Sequence, residues 1–265
     1  MLDENLSLDV KSIHKLSSKG LSPKSLKDQI DEDLEFLLQL WRSQGLEIVK
    51  EHGNFYFATK FIPIREAEFC IVDIETNGSK IEKHQIIEIA ALKIKNFEVI
   101  GAYESLVNCS EINTHITEIT GISADDTKDA PNLKSVMYDF KTFLGDAIFV
   151  AHDVKFDYRF ISLSMQKIGL APLLNRSLCS LSLAERTIES YRYALSYLNE
   201  IFSLNPSATH HRAMSDVLTT YELFKLSIKN LDENIKTVED LIQFTKEGKR
   251  LKKPKFDPLL KEDQE

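Results

Sequence analysis

The sequence has no long apolar run and few cysteines. No apolar stretch approaches the roughly 18 residues that a membrane-spanning helix needs, and the start, MLDENLSLDV, is acidic where a secretory signal is basic and then apolar. We therefore expect a soluble protein without a membrane anchor, located in the cytoplasm. Cys70, Cys109 and Cys179 are scattered through apolar stretches. Their odd number and spacing favour buried thiols over a disulfide framework or a metal cluster.

The composition is that of a globular protein with an acidic balance. Of 265 residues, 43% are hydrophobic, 28% are charged and 9% are aromatic. This supplies a core for one large domain, with or without additions, and excludes a disordered or collagen-like chain. The 33 Lys and Arg residues against 41 Asp and Glu residues give a formal charge of -8. Taken alone, that charge argues against a nucleic-acid partner.

Residues 1–68 are predicted to be a small α+β extension. The stretch up to Pro23 is rich in Ser, Lys and Leu without firm periodicity, so we expect it to be partly ordered at best. From Asp31, leucines recur at helical spacing until Gly45 ends the helix. Two short strands follow, at 46–50 and 55–59. This order resembles the second half of a winged helix, and a small helical extension packed on the main domain is the alternative.

Residues 69–230 are predicted to be an α/β domain with a mixed central sheet flanked by helices. The predicted strands lie at 69–76, 84–95, 97–107, 147–151 and 177–181, with a tight turn at Asn96. The predicted helices lie at 132–144, 154–168, 193–202 and 213–228. Three strands followed by alternating helices and strands imply such a sheet. Residues 231–265 are predicted to be a helix, opened by a capping box at Thr237 and Asp240, and a basic tail.

Two carboxylates stand in FCIVDIETNG, an apolar stretch that is predicted to be a buried strand. Asp73 and Glu75 are two residues apart, so period-two alternation puts both on one face. Paired buried carboxylates repel each other and lose hydration unless a cation lies between them. Oxygen ligands of this kind select Mg²⁺ or Mn²⁺ over zinc. For one D-x-E motif alone, a strand that ends here with both acids solvated is the favoured alternative.

Two further segments carry an acid near the start of a predicted helix. In AHDVKFDYRF, Asp157 lies about one turn into the helix, flanked by Phe156 and Phe160. In HHRAMSD, His211 precedes a helix and Asp216 follows it by five residues. Taken singly, each acid is explained as a solvated residue that the helix dipole favours in the first turn.

Taken together, the patterns FxxxDxE, HxxxFD and HxxxxD, in the order of a βββαβα chain, resemble the DEDDh family of 3′-to-5′ exonucleases. Within that family, the pattern is similar to the proofreading epsilon subunits of bacterial DNA polymerase III. The resemblance covers about residues 69–230 and includes QIIEIAAL at 85–92 and ITGI at 119–122. The combined set of motifs is specific, although no single motif is.

The resemblance implies a ribonuclease-H-like exonuclease fold that holds two Mg²⁺ or Mn²⁺ ions. The implied metal ligands are Asp73, Glu75, Asp157 and Asp216. His211 is the implied general base, and a nucleoside 5′-monophosphate would leave from a 3′ end. His210 also precedes the helix, but the five-residue spacing to Asp216 selects His211. Asp153 stands where the family usually has Asn, and an extra acid there would change metal affinity or end binding.

The resemblance also implies side chains that bind the substrate. They are Thr76, Thr120, Ile122, His152 and Phe156. An apolar wall at Phe156 and the ITGI stretch suits the stacked base of a single-stranded or frayed DNA 3′ end. The alternative is that these residues belong to an ordinary core.

Three functions are compatible with these residues. The leading one is a DNA 3′-to-5′ exonuclease in proofreading or repair, with DNA polymerase III subunits or a sliding clamp as partners. The alternatives are an RNA 3′-end trimming enzyme of the same family and a non-catalytic module that binds nucleic acid or a polymerase. Two divalent cations would offset four negative charges in the cleft, so the net charge excludes nonspecific coating of DNA and leaves end-directed hydrolysis in place.

The C-terminal tail is basic, although the chain as a whole is acidic. Residues 246–255 include six basic side chains and one acidic one, and they run into the more apolar KFDPLL. The basic residues indicate a role on the DNA backbone, with a solvated tail as the alternative. KFDPLL is interpreted as a short segment that docks a partner.

Overall fold

The first part of the chain contains three helices and a hairpin. The computed structural model describes residue 6, residues 8–209 and residues 211–259. The helices are α1 (Val10–Ser17), α2 (Pro23–Lys27) and α3 (Leu34–Ser43), and the hairpin pairs β1 (Ile48–Glu51) with β2 (Asn54–Phe57). Leu21 bridges to Phe55 in the antiparallel sense. The order is therefore helix, short strand, helix, helix and hairpin, as in a winged helix.

Helix α1 lies in a stretch for which the sequence predicts at most partial order, and that prediction is wrong from Asp9 onward. The Asp9 carboxylate accepts the Ser12 N–H at 2.7 Å and caps the helix. Ile13 and Leu16 are buried in the same hydrophobic cluster as Trp41 of α3. Tertiary packing therefore stabilises a helix that is too short to show clear periodicity.

A five-stranded mixed sheet forms the centre of the larger part of the chain. Its strands are β3 (Glu68–Thr76), β4 (Ile86–Lys95), β5 (Glu98–Leu106), β6 (Ile148–Ala151) and β7 (Ser177–Cys179). In the order β5-β4-β3-β6-β7, the first three strands are antiparallel, and β6 and β7 run parallel to β3. The predicted mixed sheet is confirmed, with β3 at its centre.

Eight helices accompany this sheet among the described residues. They are α4 (Thr114–Thr120), α5 (Ala124–Thr127), α6 (Leu133–Leu144), α7 (Val154–Lys167), α8 (Ser180–Thr187), α9 (Leu195–Phe202), α10 (Ala213–Lys229) and α11 (Val238–Glu247). The sequence predicts neither α4 nor α5, and it extends β7 into the start of α8. Helices this short make too few turns for a hydrophobic period to be read. The predicted capping box at Thr237 and Asp240 is confirmed.

Alternation along β3 divides the core into two layers. Cys70 and Ile74 face a cluster that includes residues of α6 and α7. Phe69 and Ile71 face a second cluster, to which α10 and α11 contribute. The next two residues of this second face are the carboxylates of the D-x-E motif, so the apolar face of the strand turns polar at its end.

The three cysteines agree in part with the predicted buried thiols. All three cysteines are free, Cys70 and Cys109 are buried, and Cys179 is partly exposed. The prediction of buried thiols is thus confirmed for Cys70 and Cys109, and burial raises the pKa of the Cys70 thiol to about 12.

Within the described ranges, no helix combines the length and the apolar character that crossing a membrane requires.

A buried ion pair joins three parts of the chain. Arg176, directly before β7, lies over the Phe57 ring at 4.2 Å and donates Nε to the Glu239 carboxylate of α11 at 3.2 Å. Thr59 Oγ1 donates to the same carboxylate at 2.7 Å. Burial alone would raise the pKa of Glu239, but Arg176 and Thr59 hold it below its ordinary value. The ionised carboxylate therefore links the hairpin, the sheet and the last helix.

Glu239→Gln should lower the free energy of unfolding by roughly 3 kcal/mol, because it leaves the buried Arg176 guanidinium without its counter-charge. Urea denaturation at neutral pH measures this change. Glu247→Gln, at an exposed position on the same helix, is the matched control and should change the free energy by less than about 0.5 kcal/mol. Equal midpoints for the two variants would contradict the prediction.

Candidate active site

Strand β3 positions the first two carboxylates near its C-terminal end. In the register with β4, Asp73 lies opposite Ala90 and Glu75 lies opposite Glu88. The pairing shifts between Glu75 and Thr76, so the regular ladder ends directly after the motif. Asp73 and Glu75 therefore share one face at the end of the central strand.

Helix α7 brings a third carboxylate to the same end of the sheet. Asp157 lies in its first turn and is buried, and the Ile74 backbone N–H bonds to the Asp157 carboxylate. The turn into α7 passes through Asp153, which has φ 64°. Asp and Asn adopt this left-handed conformation more readily than most other residues. The backbone therefore accepts Asp153 where the resembling family usually has Asn.

Helix α10 supplies the fourth carboxylate, and His211 precedes this helix. Ala213 and Val217 bury the helix in the second core layer, and Asp216 lies in its first turn. His211 is exposed, has φ 61°, and donates its backbone N–H to the Asp216 carboxylate at 3.1 Å. The acid therefore holds the main chain of the histidine. His210 lies outside the described residues.

The side chains form one group at the end of β3. Ligand atoms of Glu75, His211 and Asp216 all lie within 4.8 Å of one another. Burial first, and then the charges of Asp157, Asp216 and Glu75, raise the pKa of Asp73 well above its ordinary value. Such coupling requires that these carboxylates are close neighbours.

Burial also raises the pKa of two further acids. Desolvation, followed by the charges of Asp216 and Glu88, raises the pKa of Glu75 to about 7. Desolvation raises the pKa of Asp157 to about 8, although hydrogen bonds from backbone N–H groups oppose it. If all of these carboxylates were ionised in this partly buried environment, they would repel one another. Bound protons or a cation therefore stabilise the group at neutral pH.

The donor set fits a hard divalent cation. Carboxylate oxygens of Glu75 on β3 and Asp216 on α10 lie together, and the third ligand of this described group is the imidazole of His211. Oxygen-rich sites of this kind suit Mg²⁺ or Mn²⁺. The group can therefore hold a metal ion through residues that are already brought together by the fold.

Glu88, a buried acid within β4, was missed by the sequence analysis as a site residue. Its carboxylate accepts Arg212 Nη2 at 2.7 Å and the Ala213 backbone N–H at 2.9 Å. Both residues directly follow His211, so Glu88 fixes the main chain where α10 begins. The available signal was the one charge in the otherwise apolar run 86–92. Its partners are 124 and 125 residues away, which sequence spacing does not reveal.

Two of the residues implied for substrate binding lie on accessible surface beside the carboxylates. Phe156 is 40% exposed, directly precedes Asp157, and packs against Phe160 with ring centroids 5.6 Å apart. Thr76 is partly exposed and directly follows Glu75 at the end of β3. Both side chains therefore border the group of acids.

Thr120 and Ile122 are engaged inside the protein. The Thr120 hydroxyl donates to the Ile116 carbonyl at 3.0 Å, and the Ile122 side chain is buried in a cluster with Ile87 and Cys109. Neither side chain reaches an open surface in this structure.

His152 is likewise engaged through both ring nitrogens. Nε2 lies 2.8 Å from the Tyr193 carbonyl and Nδ1 lies 3.1 Å from the Ser180 hydroxyl. Since a carbonyl only accepts, Nε2 donates and Nδ1 accepts. Burial lowers the pKa of His152, which favours this neutral ring. His152 therefore holds the segment around Tyr193 against the end of β6, with both ring nitrogens engaged within the protein.

Residues 70–224 match the family model described as Exonuclease, RNase_T. The match covers more than half of the chain and nearly all of the central sheet. It includes the four carboxylates Asp73, Glu75, Asp157 and Asp216, and His211. The chain therefore belongs to this exonuclease family. The resemblance drawn from the three motifs is confirmed, and nuclease chemistry is the activity that the family supports.

The similar curated proteins are DNA polymerases. DNA polymerase III PolC-type of Caldanaerobacter subterraneus subsp. tengcongensis is 37% identical over 179 residues, which are 66% of this chain and 13% of that protein. The PolC-type enzyme of Halalkalibacterium halodurans is 35% identical over 176 residues, 65% of this chain and 12% of that protein. The chain thus spans about an eighth of the length of these relatives.

Solved exonucleases share the fold. Exonuclease X, in complex with 5′ overhanging duplex DNA, has a TM-score of 0.54 and 23% identity, over 67% of this chain and 99% of that chain. Exonuclease I of E. coli, in complex with a dA16 oligonucleotide, has a TM-score of 0.57 and 18% identity, over 62% of this chain and 41% of that chain. The predicted ribonuclease-H-like exonuclease fold is thereby confirmed.

In metal-free protein, stability should fall as the pH rises from about 4 to about 8. In this window, folded Glu75 and Asp157 retain protons that the unfolded chain has released. Divalent cations replace those protons, so Mn²⁺ should raise the melting temperature more at the upper end of the window than at the lower end. Differential scanning calorimetry with EDTA or Mn²⁺ measures both effects.

Asp157→Asn should flatten this pH dependence and reduce the response to Mn²⁺. Asp129→Asn, at an exposed position, is the matched control and should retain both. A stabilisation by Mn²⁺ that is equal at both ends of the window would count against the group of carboxylates as a metal site.

Glu88→Gln should lower kcat for nuclease activity roughly tenfold to a hundredfold with little change in KM, because it loosens the main chain that follows His211. Steady-state kinetics on a labelled strand separates the two constants. Glu98→Gln, at an exposed position on β5, is the control. An unchanged kcat, or a rise in KM alone, would argue that Glu88 does not position this segment.

Proposed function

We propose that the chain is a metal-dependent 3′-to-5′ exonuclease that removes nucleoside 5′-monophosphates from DNA 3′ ends. The observation that carries the proposal is that Glu75, Asp216 and His211 bring ligand atoms within 4.8 Å of one another, while Asp73 precedes Glu75 by two residues on β3 and Asp157 lies in the first turn of α7. A partly buried group of this kind, in which several acids have raised pKa values, favours a catalytic metal site over a purely structural one.

In this proposal two Mg²⁺ or Mn²⁺ ions are held by Asp73, Glu75, Asp157 and Asp216. When bound, such a pair supplies an activated water and stabilises the leaving oxygen of a phosphodiester. His211 takes a proton from the attacking water, because its imidazole is exposed and its main chain is held by Asp216 at 3.1 Å. Glu88 keeps this histidine in place through Arg212 and Ala213.

The proposed substrate is a single-stranded or frayed 3′ end. Phe156 offers an exposed aromatic face one residue before Asp157, where a terminal base can stack. Thr76 offers a hydroxyl beside Glu75. Thr120, Ile122 and His152 are not part of the proposed contact surface, since their side chains are engaged within the protein.

The proposed biological setting is proofreading or repair together with DNA polymerase III subunits or a sliding clamp. Support comes from the PolC-type DNA polymerases III, which are 35–37% identical to about two thirds of this chain. DNA is favoured over RNA because the similar exonucleases X and I are described in complexes with DNA. Residues 1–68 are proposed as a separate extension, 69–230 as the nuclease domain, and 231–265 as an addition that packs on it through α11.

Asp73→Ala should abolish metal-dependent digestion while the protein keeps its fold, because the central strand loses one of its two proposed metal ligands. The assay uses single-stranded, mismatched and fully paired DNA, and matched RNA, each labelled so that 5′-monophosphate products can be measured with Mg²⁺, Mn²⁺ or EDTA. Asp129→Ala is the control. An active, metal-dependent Asp73→Ala enzyme would reject the site, and preference for RNA would reject DNA as the substrate.

A further inference from the structure

The chain beyond α11 follows a fixed path along α8. Arg186 of α8 donates Nε to the Gly248 carbonyl at 2.9 Å. The Leu251 backbone N–H donates to the Glu185 carbonyl at 2.9 Å, and Arg250 Nε lies 3.0 Å from the Glu185 carboxylate. Side-chain and main-chain bonds therefore pin the tail as far as Leu251, and the solvated-tail alternative does not hold for this part.

A second anchor follows six residues later. The Asp257 carboxylate is buried, accepts the Tyr197 hydroxyl at 2.6 Å, and lies 3.2 Å from Arg192 Nη2. It also accepts the Leu259 backbone N–H at 3.1 Å. These bonds place the start of the predicted docking segment KFDPLL against α9 of the same chain, although Leu260 lies outside the described residues.

Between the two anchors lies the KKPKF segment, residues 252–256. All five residues are exposed. In the described part of the chain, Lys252 and Lys255 form no ion pair, and Lys253 Nζ lies 5.9 Å from the centroid of the Tyr193 ring. Phe256 is 84% exposed. The fold thus holds both ends of a short segment and leaves three ammonium groups and one aromatic ring in water.

The KKPKF segment is linked to the end of β6 through Tyr193. Tyr193, which Lys253 approaches, gives its carbonyl to His152 at the end of β6. An open cavity of about 470 Å³ is lined by Asp153 and Val154 at the start of α7 and by Lys246 and Arg250 of the tail. Helix α7, whose first residue lines this cavity, also carries Asp157 in its first turn.

We propose that the KKPKF segment binds the single strand of nucleic acid that leads to the 3′ end in the active site. The lysines neutralise backbone phosphates and Phe256 stacks on a base, which is the combination that grips single strands without sequence preference. Pro254 restricts the backbone between the lysines. This inference rests on the proposed nuclease function and adds a second contact for its substrate.

A protein partner is less well matched to these observations. A docking peptide would need a free main chain, but Asp257 in the middle of KFDPLL is buried, accepts the Tyr197 hydroxyl and holds the segment against this chain. The three lysines in a chain with a formal charge of -8 concentrate positive charge at one place. An anionic polymer is the complementary ligand.

Two variants test the proposal in the full-length protein. One replaces Lys252, Lys253 and Lys255 with Gln, and the other is Phe256→Ala. The matched control replaces Lys19, Lys24 and Lys27, which are exposed in the N-terminal extension, with Gln. Fluorescence anisotropy with an oligothymidylate of about twenty nucleotides in EDTA measures binding separately from cleavage.

The triple variant should bind the oligonucleotide at least roughly tenfold more weakly, and the slope of log affinity against log salt should fall by about 2, as three lost single-strand phosphate contacts predict. Phe256→Ala should weaken binding roughly tenfold with an unchanged slope. Cleavage of a dinucleotide, which is too short to reach the segment, should keep its wild-type kcat/KM in both variants. The control should match wild type throughout.

The possible outcomes distinguish a failure of this inference from a failure of the proposed function. If wild type binds the oligonucleotide and both variants lose affinity, but no DNA is cleaved, the segment is a binding site and the proposed function fails. If wild type cleaves DNA and the variants bind as tightly as the control, the inference is overturned and the tail is left to a protein partner. Equal losses for single-stranded and blunt duplex DNA would overturn the stacking role of Phe256.

Discussion

Repulsion among carboxylates at the end of the central strand is the constraint on which the site depends. Four acids are gathered where desolvation raises the pKa of three of them, so the fold has to offset their charge. Asp157 and Asp216 both lie in the first turn of a helix, where the helix dipole favours negative charge. A fifth acid, Glu88, adds to the repulsion at Glu75 and is itself paired with Arg212 at 2.7 Å.

The topology explains why these helix ends meet. β6 runs parallel to the central strand, so the chain leaves both strands at the same end of the sheet. Helix α7 starts there, and α10 crosses the face of β3 that carries the two strand acids. Binding sites of α/β sheets form at the carboxyl ends of parallel strands for this reason. The mixed sheet therefore needs no long loop to build the site.

Local sequence patterns were enough to predict the sheet and the long helices, whereas the acidic group was implied only by the resemblance of the combined motifs to a known family. Alternation along β3 places Asp73 and Glu75 on one face, and apolar periodicity marks α6, α7 and α10. What could not be predicted depends on contacts between distant residues. Helix α1 is stabilised by Trp41, Glu88 finds its partner 124 residues away, and Asp257 is held by a tyrosine 60 residues earlier. Burial of Thr120 and His152 has the same origin.

The position of the N-terminal extension determines whether a macromolecule bound there would block the active-site cleft. Its hydrophobic cluster reaches the larger part of the chain at Leu174, and Phe57 contacts Arg176, both just before β7 begins. The acids lie where the parallel strands end. The two regions are therefore at opposite ends of the sheet, and a macromolecule seated on the extension would leave the path of a nucleic-acid strand into the cleft unobstructed.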